Sequence, residues 1–193
     1  MHQEIEIEYK NIVTREEFER VTTSFHIPSE AFISQTNYYF DTPTFSLKEL
    51  GCALRIRYKN GKYTLTLKQP HGDGLLETHQ QLSKVLAEEL ISGKTQIIGE
   101  MKEHITSMGI SSSELSCFGS LRTNRAETTY KSGVLVFDHS EYLNCQDYEI
   151  EYEVSNPKEG ELAFKELLES FNIPTRQTKN KIQRFYDKSK GND

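Results

Sequence analysis

Residues 4–10 read Glu-Ile-Glu-Ile-Glu-Tyr-Lys, and no other stretch of the chain carries as much chemistry. Glu4, Glu6, Glu8 and Lys10 fall on one side of a strict alternation, with Ile5, Ile7 and Tyr9 on the other. Period two marks a β-strand, so three carboxylates stand in a row roughly 6.6 Å apart. Like charges so placed repel and weaken a strand in water. A divalent cation held between them turns that repulsion into attraction, because hard ions take carboxylate oxygens. The plainer reading is a one-sided sheet with its polar face in solvent.

Other segments repeat the alternation, some with the opposite sign. Across residues 53–59, Arg55, Arg57 and Lys59 share a face opposite Leu54, Ile56 and Tyr58. Across 63–68, Thr64, Thr66 and Lys68 oppose Tyr63, Leu65 and Leu67; across 147–154, Asp147, Glu149, Glu151 and Glu153 oppose Tyr148, Ile150, Tyr152 and Val154. An ordinary exposed sheet mixes signs to gain cross-strand pairs. Acids and bases segregated by strand suggest one surface that holds both a metal cation and a polyanion.

The elements that must position these groups follow from the same patterning. Strand 3–10 leads into Thr14-Arg-Glu-Glu17, a capping box that opens a helix to about Phe25. A strand at 34–42 ends before Pro43, and strands 53–59 and 63–70 are joined by Asn60-Gly61, a strong hairpin signal. A strand is expected at 74–82, helices at about 84–92 and 95–108, strands at 119–130, 133–139 and 146–154, and helices at 158–171 and 178–188. Short connections make the sheet largely antiparallel. If the apolar faces pack outward against helices, the charged faces point inward, and about eight strands closed into a barrel leave room for one small ligand. An open sheet with helices on one side satisfies the same pattern.

At 193 residues the chain suits a single domain spanning 1–193, with 35% hydrophobic and 27% charged residues, ten Phe and ten Tyr. A net charge of −6 argues against nucleic acid as partner, although basic clusters in a cleft can still bind a small anion. Cys52, Cys117 and Cys145 form no C-x-x-C, which suits free thiols in a reducing cytoplasm. No long apolar run points to membrane insertion or secretion. The six histidines form no H-x-H or H-E-x-x-H and read as incidental, and Gly72-Asp73-Gly74 reads as a turn.

Glu6-Ile7-Glu8-Tyr9-Lys10 resembles the E-x-E-x-K signature of the CYTH superfamily, the triphosphate tunnel metalloenzymes, which include class IV adenylyl cyclases, thiamine triphosphatases and inorganic triphosphatases. The likeness continues in order along the chain: Tyr39-Phe-Asp-Thr42, Leu54-Arg55-Ile56-Arg57, Thr66-Leu67-Lys68, Glu77, Glu149-Ile150-Glu151 and Asn180-Lys-Ile-Gln-Arg-Phe185. The length and the Tyr-Glu-Ile-Glu-Tyr-Glu segment look most like the small stand-alone triphosphatase-type proteins of Gram-positive bacteria. The resemblance implies an α+β fold built on an eight-stranded antiparallel closed barrel with a polar interior and helices outside. It implies Mg²⁺ or Mn²⁺ on Glu6, Glu8, Glu149 and Glu151, and a small triphosphorylated anion gripped by Lys10, Arg55, Arg57, Lys68, Arg125 and Lys181. Two departures stand out. Thr123-Asn124-Arg125 replaces a Lys-x-Arg strand, with Arg122 and Arg125 on opposite faces, and His79 stands where a second acid often follows Glu77, which implies a weaker second metal site or none.

Triphosphate hydrolysis depends on placement and charge neutralisation. Arginine forks suit phosphate oxygens, and a metal-bound water is the natural nucleophile. Lys10, beside the acid row, is the candidate for the catalytic proton transfer; a second metal is the other. Asp41 and Asp138 read as turn caps at strand ends, and Glu4 and Glu153 as solvated ends of the acid rows. The competing functions are an adenylyl cyclase, which needs a nucleoside pocket, and a non-catalytic sensor of polyphosphate or nucleotide.

Overall fold

The computed structural model describes residues 1–189. Eight strands, β1 (His2–Val13), β2 (Ile33–Asp41), β3 (Ala53–Lys59), β4 (Lys62–His71), β5 (Gly74–Leu82), β6 (Ser116–Tyr130), β7 (Gly133–Tyr142) and β8 (Cys145–Val154), close into a barrel in the order β1-β5-β4-β3-β2-β6-β7-β8. The registered pairs are antiparallel. Six helices accompany them: α1 (Arg15–Ser24), α2 (Ser46–Glu49), α3 (Lys84–Ile91), α4 (Glu100–Ser107), α5 (Pro157–Ser170) and α6 (Lys181–Ser189). The expected closed barrel with outer helices is therefore found, and the open sheet is excluded. None of the described helices is long and apolar enough to cross a membrane.

The chain divides into two compact units. The first comprises Met1–Ile5 and Thr36–Ser120. Its β3–β4–β5 meander turns at Asn60 and Gly61, whose φ angles of 50° and 77° give the hairpin its tight reversal. Leu54, Ile56, Leu65 and Leu67 form one face and bury against Ala87 and Leu90 of α3 and Met101 and Ile105 of α4. Each such side chain contributes about 1.5–3 kcal/mol by leaving water. Parity then places Arg55, Arg57, Thr64, Thr66 and Lys68 on the opposite face. Helix α4 starts five residues later than the sequence pattern suggests, because Gly99 enters it at φ 70°, outside the helical region.

The second unit comprises Glu6–Gln35 and Leu121–Asp193, of which the described part ends at Ser189. Val13, Leu135, Phe137, Ile150 and Tyr152 bury against Phe18 and Val21 of α1 and Ala163, Phe164, Leu167 and Leu168 of α5. The capping box forms as expected: Glu17 N–H donates to Thr14 Oγ1 at 3.2 Å, and Thr14 N–H donates to Glu17 Oε2 at 2.8 Å. Arg176 closes on the same carboxylate at 2.7 and 2.9 Å and anchors the chain ahead of α6.

Asp41 is a cap, as its position at a strand end suggests. Its Oδ1 accepts from Thr42 and Leu47 N–H at 2.8 and 2.9 Å, and Oδ2 from Lys48 N–H at 3.1 Å. Asp41→Ala leaves these buried donors unmet and is expected to cost about 1–2 kcal/mol. That lowers the melting temperature by roughly 2–8 °C. Thermal unfolding checks it, and an unchanged midpoint would show that the donors find other acceptors.

Candidate active site

The two units each carry charged side chains on the strand face turned away from their helices. In the first unit these come from β3, β4 and β5. Arg55 stands opposite Thr66, Arg57 opposite Thr64, Lys68 opposite Glu77 and Thr66 opposite His79. Arg57 Nε donates to Asn37 Oδ1 at 2.9 Å, and Lys68 Nζ pairs with Glu77 Oε1. Arg55 differs from both. Its Nε is buried and finds no hydrogen-bond acceptor among the described residues. A buried donor left unmet costs about 1–3 kcal/mol, so the fold holds Arg55 at a loss unless an anion completes it.

In the second unit β1, β6, β7, β8 and the first turn of α6 converge. Cross-strand register sets Glu8 against Glu153, Lys10 against Glu151, Asp138 against Glu149, and Arg125 against Asp138. Arg125 makes a fork on Asp138, Nε to Oδ1 at 2.7 Å and Nη2 to Oδ2 at 2.6 Å, and reaches Glu151 Oε2 at 2.6 Å. Lys181 Nζ lies 2.8 Å from Asp138 Oδ2 and 2.9 Å from Glu149 Oε1, and also meets Glu151 Oε1. Arg184 pairs with Glu149 Oε2 at 2.5 Å and Asp147 Oδ2 at 3.0 Å. Lys10 Nζ donates to Glu8 Oε1 at 2.5 Å and to Asn180 Oδ1 at 2.6 Å.

Burial and charge pull these carboxyls apart. Burial opposes ionisation of Glu151, but Lys181 and Arg125 outweigh it and hold the group well below the usual range. Asp138 is lowered in the same way, with Arg125 and then Lys181 overcoming burial. Glu149 is pushed up to about 7, chiefly by burial, with the negative charge of Glu151 offsetting much of the pull of Lys181. Burial also raises Glu153 to about 7, against Arg125 and with Glu6, Glu151 and Glu8 adding to it. Lys181 and Arg125 are both raised well above their ordinary values by the acids around them, despite burial.

The structure therefore sets Arg55, Arg57 and Lys68 on one face of β3 and β4, and brings Glu8, Lys10, Arg125, Glu149, Glu151 and Lys181 together. Glu6 lies half-buried on the same β1 face as Glu8. Arg125, not Arg122, belongs with the acids; Arg122 stands across from Glu141 and is exposed. Two expectations are corrected. Asp138 is not a turn cap: β7 runs on to Tyr142, and Asp138 lies fully buried inside it as the hub of Arg125 and Lys181. The signal was the alternation of Leu135 and Phe137 with Val136, Asp138 and Ser140, which continues the strand past residue 139. Glu153 is likewise more than a solvated end, whereas Glu4 is exposed. Arg184 and Asp147 were missed as partners, since nothing local joins residue 184 to residue 147.

The acids fit a hard divalent ion. Three carboxylates already converge on one cation, the Lys181 ammonium, and all their donors are oxygen. A second group, Glu4, Glu77 and His79, brings one ligand atom from each within 4.8 Å in the first unit.

A barrel with outward apolar faces and arginines and carboxylates on the other face defines a class of anion- and cation-handling barrels. The chain belongs to the CYTH domain family, which it matches over residues 4–186. It is 49% identical over 190 residues to "Putative triphosphatase YjbK" of Bacillus subtilis (strain 168), covering 98% of each chain. A crystal structure from Bacillus halodurans, named a putative adenylate cyclase, shares 44% identity and a TM-score of 0.92, covering 96% of this chain and 100% of that one. A Hippeastrum protein, described as a putative adenylyl cyclase with a dominant triphosphatase activity, shares the fold at 22% identity and a TM-score of 0.76, covering 95% of each chain.

Proposed function

We propose that this chain is a metal-dependent triphosphatase that hydrolyses inorganic triphosphate or a small organic triphosphate. The observation that carries this reading is Arg55. A half-buried arginine whose Nε is buried and finds no acceptor among the described residues, beside Arg57 and Lys68 on one face, is a site waiting for a highly charged anion. The name of the 49% identical relative supports the same activity.

Arg55 and Arg57, two residues apart on β3, each offer a planar fork to phosphate oxygens. Lys68 adds a point charge. As the terminal phosphoryl group transfers to water, negative charge grows on the leaving diphosphate, and these cations lower that barrier. Arg125 and Lys181 bind phosphate by exchanging carboxylate oxygens for phosphate oxygens, one anion for another. Lys10 already donates to Glu8 and Asn180, which are the contacts of an ammonium, and one of its three N–H donors is left for a phosphate oxygen. Beside the acid row it neutralises charge and holds Glu8, and it is the candidate for the catalytic proton transfer, with a second metal as the other. Glu6, Glu8, Glu149 and Glu151 would hold Mg²⁺ or Mn²⁺. Such an ion polarises phosphoryl oxygens and acidifies water. Residues 1–193 act as one functional domain in this reading. In this reading the chain works in a reducing cytoplasm, which its three free thiols support.

The test is product analysis with inorganic triphosphate, thiamine triphosphate and ATP, each with Mg²⁺, with Mn²⁺ and with chelator. Chelator-sensitive orthophosphate release is expected. Cyclic nucleotide with pyrophosphate from ATP would replace the reading with a cyclase, as the name of the 44% identical relative suggests. Binding without turnover would make the chain a sensor.

A further inference from the structure

His79 departs from the acid expected after Glu77, and its surroundings in the first unit are those of a ligand. Its Nδ1 lies 3.0 Å from Thr66 Oγ1, a side chain that is itself buried. With the Nδ1 proton donated to that hydroxyl, the lone pair is on Nε2. Nε2 faces two carboxylates, Glu4 Oε1 at 3.1 Å and Glu77 Oε2 at 3.3 Å. Ligand atoms around a tetrahedral zinc with bonds of about 2.0–2.2 Å stand roughly 3.4 Å apart, so the observed spacing needs little adjustment. A hydrogen bond at the other ring nitrogen fixes the orientation of a metal-bound histidine, and here Thr66 Oγ1 offers one.

The backbone adds a fourth candidate. His2-Gln3-Glu4 on β1 and Glu77-Thr78-His79 on β5 are neighbouring strands in the barrel, and each alternates imidazole with carboxylate on one face. Gln3 and Thr78, which share the other parity, join by a hydrogen bond of 3.0 Å from Gln3 Nε2 to Thr78 Oγ1. The His2 ring lies stacked on His79, centroid to centroid 6.2 Å. Two histidines and two glutamates in this array suit a borderline first-row ion, because imidazole selects such metals and Mg²⁺ prefers an all-oxygen shell with water.

We propose that Glu4, Glu77 and His79, with His2 beside them, form a transition-metal site of the Zn²⁺ class. This site is separate in its residues from the carboxylates assigned to Mg²⁺ or Mn²⁺. Lys68, paired with Glu77 Oε1, opposes the incoming charge and moderates the affinity. The proposal does not depend on the triphosphatase reading, since binding alone is measured.

The experiment is calorimetric titration of Zn²⁺ into the metal-stripped full chain, with histidine side-chain NMR at saturation. The wild type is expected to bind one Zn²⁺ more than His79→Ala, with excess Mg²⁺ failing to displace it. Thr66→Val is expected to weaken that site about tenfold, as loss of an orienting partner does. The His79 Nε2 resonance should move on saturation in the wild type, a readout that survives even if a variant folds poorly. Equal stoichiometry and affinity in His79→Ala, or an unmoved His79 resonance, would overturn the site.

Discussion

Arg55→Ala is expected to lower kcat/KM for the triphosphate by about 10²–10³, roughly 2.7–4 kcal/mol of transition-state stabilisation. The same substitution should leave the melting temperature unchanged or raise it. Stability and activity part company here because the Nε of Arg55 is buried without an acceptor among the described residues. Removing a donor that costs about 1–3 kcal/mol in the free protein relieves a penalty rather than breaking a bond. Arg55→Lys keeps the charge but loses the fork, and should fall between the wild type and alanine in activity. Steady-state kinetics paired with thermal unfolding separates the two quantities. A variant that melts much lower but turns over normally would make Arg55 a structural residue and remove the main support for the proposed function.

Arg125→Met is expected to have the largest effect on stability. It strips Asp138, which is fully buried, of a two-point partner and takes one cation from Glu151. Breaking a buried pair from one side costs about 3–5 kcal/mol, because the remaining charge has no solvent. For a chain of this size that lowers the melting temperature by roughly 6–20 °C. The double variant Arg125→Met with Asp138→Leu should recover much of the loss, since no uncompensated charge is left. The pH dependence has a fixed sign. Asp138 and Glu151 are held below their ordinary values in the folded chain, so their stabilisation is complete above the unfolded values and is lost as pH falls through the depressed ones. A single variant that unfolds at the wild-type temperature would show that water reaches Asp138.

Most of the fold is legible in local patterning. The alternation of charge with Ile, Leu and Tyr in β1, β3, β4 and β8 fixes which side chains share a face, because the period of a strand is two whatever its neighbours. It separates Arg125 from Arg122 and groups Arg55 with Arg57 before any contact is known. The Asn60-Gly61 turn and the Thr14–Glu17 capping box are legible for the same reason: each is complete within four residues. Helix α4 shows the limit of such patterns, since one glycine at φ 70° moved its start.

The sequence by itself determined the strands, their two faces and the charges each face carries. Only the tertiary structure decided which charges meet. It buried Asp138 between Arg125 and Lys181, set Arg184 on Glu149 and Asp147, and turned His79 from an apparent departure into a group held between Glu4 and Glu77. Those partners lie tens of residues apart, and strand parity says nothing about which distant strand or helix will lie alongside. That choice follows from closing the barrel and docking α6, where the apolar faces must find their helices first and the charged groups then find one another.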